Sequence, residues 1–505
     1  MMSMKILLLN PSYKQDISNN YERYYIRSGS RWPHSGVKRK RTPPHYLPFP
    51  FFLAYSASLL KQSGFDVYAI DAVALDFSEA DLLKQVENIK PHIIFYECTT
   101  PTAKYDLWLA KKIKEVIEVK IVIGGPHATI FASQILQENK CIDFIIKGEY
   151  EWAFMKLCQA IEQKSSFFLP GVVFCNKGEI IDQGRATLIE PLDELPAPLR
   201  EIFPSNNQAD PTIYWDGFCQ RRPAIQMQSS RGCFYHCNFC LWKHTIYNGS
   251  RYRSFSSERV VNEMQDVVSK YRVKEIYFDD DDFAADKERA GTLCKYILES
   301  NVKINWSCMS NLSNLTEDII DIMARSGCIG IKFGVESGSN KLLKYIGKPV
   351  DLKRVKEIVR YCSKQGIKTH ATFCLGFLEE TKEDIKETQR FINRLVSDSI
   401  QVSIVTPYPG TDLFAEVEKN DFLDSSRWEQ YDGKRAGIVR FPRLDGKKIE
   451  RIRRKVLFTW FLRRGLSLSW LFNHFLVLLR TLRGLGIHFF LKQFVAIGID
   501  EWKNK

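Results

Sequence analysis

The stretch Arg231-Gly-Cys-Phe-Tyr-His-Cys-Asn-Phe-Cys240 places three cysteines at the spacing Cys-x3-Cys-x2-Cys, directly after a short apolar run that begins at Ala224. Three thiolates so close in sequence can hold three irons of a cubane cluster and leave the fourth iron open to a substrate or cofactor. Zinc is the structural alternative. A closed zinc site wants four ligands, and His236, His244 or Cys219 are the candidates for the fourth. A coincidence of spacing in a chain with 13 cysteines is the blandest reading. The position of the triad at the end of a strand favours the cluster.

Working downstream, apolar, β-rich runs alternate with stretches of helical period. Candidate strands are Ala224–Ser229, Glu275–Phe278, Lys303–Cys308, Ile329–Phe333, Lys368–Phe373 and Gln401–Thr406. Six βα units predict a full or partial (β/α)6 barrel over 223–444, with its site at the carboxyl ends of the strands. Upstream, residues 1–165 show the same alternation, with strands expected at Lys5–Leu9, Val67–Ile70, His92–Tyr96, Ile121–Ile123 and Phe144–Ile146. Helical periods fall between them, for example over Phe51–Gln62 and Tyr105–Ile117. That pattern predicts a separate doubly wound, flavodoxin-like or Rossmann-like parallel sheet. Between the two, residues 166–222 are punctuated by Pro191, Pro196, Pro198, Pro204 and Pro211, and read as a hairpin near Val172–Ile181 followed by a linker.

The strand ends of the barrel carry the polar chemistry. Phe278-Asp-Asp-Asp-Asp-Phe283 ends the second strand, Gly334-Val-Glu-Ser-Gly338 the fourth, Gly376-Phe-Leu-Glu-Glu-Thr381 the fifth and Pro407-Tyr-Pro-Gly-Thr411 the sixth. Four adjacent carboxylates repel one another, so a solvated loop and a ligand site are both open readings. Gly124-Gly125-Pro126 follows a strand of the first domain. It reads as turn chemistry, or as a place where a ligand meets bare backbone.

At these residues the chain resembles the cobalamin-dependent radical S-adenosylmethionine (SAM) family, in which a B12-binding domain precedes a radical SAM barrel. Cys233, Cys237 and Cys240, with Phe239 before the last, resemble the radical SAM signature, and Tyr252-Arg-Ser-Phe-Ser-Ser-Glu-Arg-Val-Val261 resembles the segment that follows it. Leu7-Leu-Leu-Asn-Pro11, Pro43-Pro44, Leu53–Val67, Ile123-Gly-Gly-Pro-His-Ala128 and Lys147-Gly-Glu-Tyr-Glu151 resemble the B12-binding domain. The resemblance implies a [4Fe–4S] cluster on the three cysteines and SAM on the open iron. It places Asp280 and Asp281 near the SAM ammonium, Glu336 and Ser337 on the ribose, Gly376 near SAM, and cobalamin against Gly124, Gly125 and Pro126. It also implies a one-electron donor such as flavodoxin or ferredoxin.

The commonest activity in the family is C-methylation through a 5′-deoxyadenosyl radical and methylcobalamin. Cyclisation, ring contraction and oxygen insertion occur in relatives. A non-catalytic iron–sulfur or corrinoid sensor is the reading of another class. No Asp-x-His motif occurs in the chain, which fits cobalt held without a lower histidine. A degenerate domain that binds no cofactor is the lesser alternative.

Charge and composition bound the rest. The net charge is +13, from 72 Lys plus Arg against 59 Asp plus Glu. Much of the excess lies in residues 445–505, where Arg451–Ile499 contains no acidic residue and interleaves arginines with Phe, Trp and Leu. A basic amphipathic helix on an anionic membrane, or a lipid-like substrate drawn from one, is one reading. A tail packed on the barrel is the other. The apolar run Leu466–Leu479 is short for a membrane span, and no base-stacking motif points to nucleic acid. The short run Ile6–Leu9, stopped by Asn10-Pro11, reads as a strand and not as a signal peptide, so a cytoplasmic, possibly membrane-associated enzyme is expected. In that setting Cys98, Cys141, Cys158, Cys175, Cys294, Cys308, Cys362 and Cys374 are expected as small buried side chains.

Overall fold

The computed structural model describes residues 3–465 apart from 30–32, 41–43, 45, 166–167, 349 and 425–426. Pro43, Trp470, Phe472, Phe475, Arg480, Arg483, Lys492 and the run 466–479 therefore lie outside the described residues.

The first sheet is built on Lys5–Asn10, Asp66–Asp71, Ile93–Glu97, Lys120–Gly124 and Phe144–Ile146, all parallel to their neighbours. Ile6 to Leu9 are wholly buried, as are Ile93 to Tyr96. Such continuous apolar runs are what a sheet covered on both faces requires. In sequence order the five strands lie 2-1-3-4-5. The order reverses between the first and third strands, whose carboxyl ends carry Asn10 and Glu97. The hairpin Val172–Asn176 and Glu179–Asp182 is not a separate unit. It pairs antiparallel onto Phe144–Ile146 and extends this sheet as its edge.

The second sheet runs Ala224–Met227, Glu275–Phe278, Asn305–Met309, Cys328–Glu336, Lys368–Leu375 and Ser399–Ile404 in chain order, with every pair parallel. It is an open, six-stranded partial barrel. The helices Ser257–Tyr271, Lys287–Glu299, Glu317–Arg325, Leu352–Lys364 and Lys382–Arg394 cover its outside. One apolar core runs through both domains: Phe52 and Tyr150 of the first belong to the same cluster as Met227 and Trp242 of the second.

Two elements have no counterpart in the sequence reading. An antiparallel meander, Lys14–Ser18, Tyr21–Ile26 and His34–Arg39, is inserted after the first strand. Its exposed positions mix apolar Ile17, Tyr21 and Val37 with charged Asp16 and Arg39, and Lys38 is buried, so the strands lack the clean alternation that marks a strand. Tyr25 of the meander donates to the Glu429 carbonyl and Ser35 to Asp432, so it braces the chain beyond the sixth barrel strand. The second is a two-stranded ribbon, Ser230–Gly232 with Tyr252–Ser254.

Of the cysteines expected to be buried, Cys98, Cys158, Cys294, Cys308 and Cys362 are, whereas Cys141 and Cys374 are half-buried and Cys175 is exposed. Cys175 sits in the edge hairpin, one face of which meets solvent. The helix Gly446–Gly465 packs on the barrel: Ile449 and Val456 are buried and Arg453 Nε donates to the Val402 carbonyl at 2.7 Å. Phe458 and Leu462 face outward at 50% and 43% exposure. Among the described residues, no helix is long and apolar enough to cross a membrane.

Candidate active site

The ribbon is the neck of the cysteine loop. Ser230, Arg231 and Gly232 pair with Ser254, Arg253 and Tyr252. Gly232 has φ +85°, and a Cβ there would stand 1.8 Å from the Arg251 carbonyl oxygen, so the neck closes only around glycine.

The acidic run fastens this neck to the second strand. Asp280 is fully buried and accepts from Ser229 N at 2.7 Å, Ser230 N at 3.2 Å and the Ser229 hydroxyl. Asp281 accepts from Gly232 N at 2.8 Å. Asp282 accepts from Ser310, Asn311 N and Asn314. Burial pushes the Asp282 carboxyl up to about 6, against those hydrogen bonds. The solvated-loop reading of the run therefore fails for Asp280 and Asp282. Both oxygens of Asp280, expected near the SAM ammonium, accept from the turn at 229–230. Half-buried Asp281 stands closer to the loop and keeps that role open.

The loop then lies against the turn after the fourth strand. Asn238 N donates to the Ile346 carbonyl at 3.0 Å, and Cys237 Sγ lies 3.8 Å from the Gly347 carbonyl oxygen. Phe239 meets Phe377 edge-on, with ring centroids 5.5 Å apart, which seals the fifth strand end against the loop. Burial raises all three thiols, Cys233 to about 12 and Cys240 to about 11. Thiolates in this pocket therefore need a positive partner. Lys348 supplies one, since its ammonium acts on Cys233, Cys237 and Cys240 alike.

Among the described residues, no three Cys, His, Asp or Glu side chains stand in metal-holding geometry. A cluster therefore requires the three thiols to turn to a common centre, and all three lie on one loop. The donor chemistry fits three thiolates without a fourth. Cys219 is held beside Glu275 and Asp216, at the opposite, amino-terminal end of the second strand. His236 faces Ser250, with Nδ1 3.1 Å from its hydroxyl, and His244 faces Asp412 at 3.4 Å. The zinc alternative thus loses Cys219.

Glu336 and Ser337 part company. Ser337, expected on the ribose, is fully buried, shares a hydrogen bond with Thr388 at 3.0 Å and accepts from Ser339 N. Glu336 has φ +67° and lies 3.2 Å from Lys348 Nζ, beside the Cys374 thiol. Gly376, at φ +94°, donates its N–H to Glu380, whose carboxyl burial pushes up to about 8.

On the first sheet, Gly124 and Gly125 are required by the protein itself. A Cβ on Gly124 would stand 2.9 Å from the Phe95 ring, and one on Gly125 3.1 Å from the Cys98 carbonyl oxygen. Pro126 stands in the first turn of the helix Gly125–Glu138, where its missing N–H is harmless. His127 is buried against Phe131 and Trp428, and burial pushes its imidazole down to about 3, so it is neutral.

The fit to a corrin is better judged at the crevice where the strand order reverses. There Asn10 Oδ1, Ser12 Oγ and Arg27 Nε and Nη2 are buried with no hydrogen-bond partner among the described residues. Arg27 is paired with Asp106, itself wholly buried. Buried polar atoms without partners are costly. A ligand rimmed with amides, as cobalamin is, would satisfy them at the place where such sheets bind ligands.

The two sites are joined by charge, which the sequence reading missed. Arg231 is wholly buried and its Nη1 lies 2.7 Å from Glu149 and 2.8 Å from Glu151 of the first domain. Its guanidinium also sits over the Phe52 and Tyr55 rings at 4.4 and 4.9 Å. Arg253, its partner across the ribbon, binds Glu149 and the Ile189 carbonyl. Burial raises Glu151 to about 7, while the two arginines hold Glu149 below the usual range despite its burial. The signal was present in the sequence: Arg231 opens the cysteine motif, and Glu149 and Glu151 belong to the motif at 147–151.

Comparison with known proteins agrees with this arrangement. The B12 binding domain model matches residues 45–158 and the Radical SAM superfamily model residues 227–392. An uncharacterized methyltransferase of Pyrococcus horikoshii is 30% identical over 440 residues, covering 86% of this chain and 93% of the relative. The anaerobic magnesium-protoporphyrin IX monomethyl ester cyclase of Rubrivivax gelatinosus is 25% identical over 399 residues, 76% of this chain and 68% of the relative. In fold, the chain is similar to the radical S-adenosylmethionine methyltransferase TsrM of Kitasatospora setae, with a TM-score of 0.64 at 17% identity over 84% of this chain and 76% of that one. With a B12-type sheet locked to a cysteine loop at the mouth of a six-stranded partial barrel, the chain belongs to the cobalamin-dependent radical SAM family.

Proposed function

We propose that the chain is a C-methyltransferase that places a methyl group on an unactivated carbon of a small natural product or lipid-like molecule. The observation that carries this reading is the buried Arg231–Glu149–Glu151 joint, which ties the cysteine loop to the first sheet, the one suited to cobalamin. The Pyrococcus relative is named a methyltransferase, in agreement. When bound, the cluster supplies the electron that opens SAM, and cobalamin supplies the carrier for the methyl group.

The chain's own residues hold and orient. Cys233, Cys237 and Cys240 would ligate the cluster. Asp281, Glu336 and the backbone at Gly376 would line the SAM side. Asn10, Ser12, Arg27 and the Gly124-Gly125-Pro126 turn would border cobalamin. Phe239 packs edge-on against Phe377 beside the loop. The electron donor is assigned to a flavodoxin or ferredoxin, and the location to the cytoplasm. Any membrane contact would draw on residues 466–505 and on Phe458 and Leu462, which the preceding helix leaves exposed while Ile449 and Val456 pack on the barrel.

The test is anaerobic reconstitution with iron, sulfide and hydroxocobalamin, then SAM labelled in its methyl group, a strong reductant and a pool of cell metabolites. Formation of 5′-deoxyadenosine together with a labelled product is expected. Deoxyadenosine without label transfer would assign the chain to cyclisation, ring contraction or oxygen insertion, and the Rubrivivax relative makes that the second reading. Cofactor uptake with no SAM cleavage would leave a sensor.

A further inference from the structure

Lys348 is buried to 16% side-chain exposure just beyond the fourth strand, and its ammonium is paired with Glu336 at 3.2 Å. Several details of the backbone serve that pair. Glu336 takes a left-handed conformation, φ +67°, which residues with a side chain rarely adopt. Gly334 leaves room for it: a Cβ there would stand 2.2 Å from Glu336 Oε1 and 3.0 Å from Lys348 Nζ. Gly347, at φ +69°, lets the turn lie on the cysteine loop, where a Cβ would stand 2.8 Å from the His236 carbonyl oxygen. The turn also binds the loop directly through Ile346 and Asn238.

The ammonium therefore occupies a pocket shared with Cys233, Cys237, Cys240, Asp282, Tyr235 and Cys374. Burial alone would push a lysine down. Glu336, at 3.2 Å, supplies its counter-charge.

We propose that Lys348, positioned by Glu336, is the fixed charge that sets the reduction potential of the cluster on Cys233, Cys237 and Cys240. The inference rests on the cluster assignment made above and adds a residue to it. A cluster on three thiolates gains one negative charge when it takes an electron. A cation held nearby in a water-poor pocket stabilises the reduced form more than the oxidised one, and salt screens it little. Glu336 opposes part of that effect and fixes where the ammonium points.

The test uses the full chain reconstituted anaerobically without SAM, with the cluster potential read by EPR-monitored titration. Lys348→Met should bind four irons and show at least a tenfold lower ratio of reduced to oxidised cluster at a given poise, which for one electron is a shift of about 59 mV downward. Lys348→Arg should stay near wild type. Glu336→Gln should move upward, and the double variant should fall between the two singles. An unchanged potential in Lys348→Met with intact cluster would overturn the proposal. If Lys348→Met takes up no iron, Glu336→Gln decides, and no upward shift in it overturns the proposal equally. Wild-type protein that assembles no four-iron cluster would overturn the cluster assignment itself, and the inference with it.

Discussion

Replacing Arg231 by Met removes the cation that meets Glu149 and Glu151 while keeping a long apolar stem over Phe52 and Tyr55. Arg253 still serves Glu149. Glu151 loses the arginine it is paired with, and it is wholly buried. Breaking a buried ion pair by deleting one partner destabilises by about 3–5 kcal/mol. With about 2.1 cal/mol/K of unfolding entropy per residue over 505 residues, that corresponds to a fall of roughly 3–5 °C in the thermal midpoint. The sign of the pH dependence follows from Glu151. Its carboxyl is already raised to about 7 by burial, against Arg231. The fold thus holds a proton that the unfolded chain releases, so this contribution is complete below about 4.5 and is lost as pH rises through 7. Without Arg231 the carboxyl rises further and the loss continues above pH 7. The gap between wild type and Arg231→Met, read by scanning calorimetry, should therefore widen from pH 7 to pH 9. Adding Glu151→Gln should close most of the gap at pH 9. A variant within about 1 °C of wild type at both pH values, or a gap that does not change with pH, would refute the assignment of the joint as an energetic tie.

Cys233→Ala, Cys237→Ala and Cys240→Ala should each lose the broad blue-visible absorption and SAM cleavage. Cys219→Ala, at the far end of the second strand, should keep both; four irons per chain in any of the first three would count against the cluster. Hydroxocobalamin should remain bound through gel filtration with a base-off spectrum, and His127→Ala should leave that spectrum unchanged, because His127 is enclosed by Phe131 and Trp428. Glu380, raised by burial to about 8, contributes stability fully below about 4.5 that is lost as pH rises through 8. Glu380→Gln should therefore gain up to a few kcal/mol on wild type between pH 5 and 9, measured as a relative rise in thermal midpoint. Removing residues 466–505 should abolish sedimentation with anionic liposomes at low salt, if the tail binds lipid; equal negligible binding of both chains would dismiss a membrane role. A cut near Leu444 would be a poorer test, since it strips Ile449 and Val456 from the barrel core.

The strands of both domains were legible because burial on two faces leaves apolar runs with little polar interruption. Ile93–Glu97 and Glu275–Phe278 are wholly buried, and their sequences read as little else. The meander at 14–39 was not legible, because its buried residues, such as Tyr24, Tyr25 and Ile26, sit at one end of charged strands. The site divides in the same way. The cysteine triad declares itself by spacing, since one loop supplies all three donors. Asp280 and Ser337 look like ligands in the sequence because they are polar residues at strand ends. Their hydrogen bonds run to Ser229, Ser230, Thr388 and Ser339, and long-range partners of that kind leave no local pattern.

The same limit explains why Lys348 and Arg231 escaped notice, and it suggests how the two cofactor regions are kept in register. The first end of the cysteine loop is held by buried Arg231, whose counter-charges Glu149 and Glu151 lie on the first domain, and its far side is hydrogen-bonded through Asn238 N to Ile346, in the turn that carries the Lys348–Glu336 pair. Asp280 and Asp281 fasten the neck to the second strand. The neck has little freedom to drift, because displacing Arg231 would leave buried charge unpaired at Glu149 and Glu151. Were SAM and cobalamin bound on either side of this joint, a fixed neck would help to hold the two sites at a constant spacing. The ion pairs are therefore better understood as setting distance than as adding stability. On that view, charge-conserving changes such as Lys348→Arg should preserve more function than neutral isosteres of closer shape.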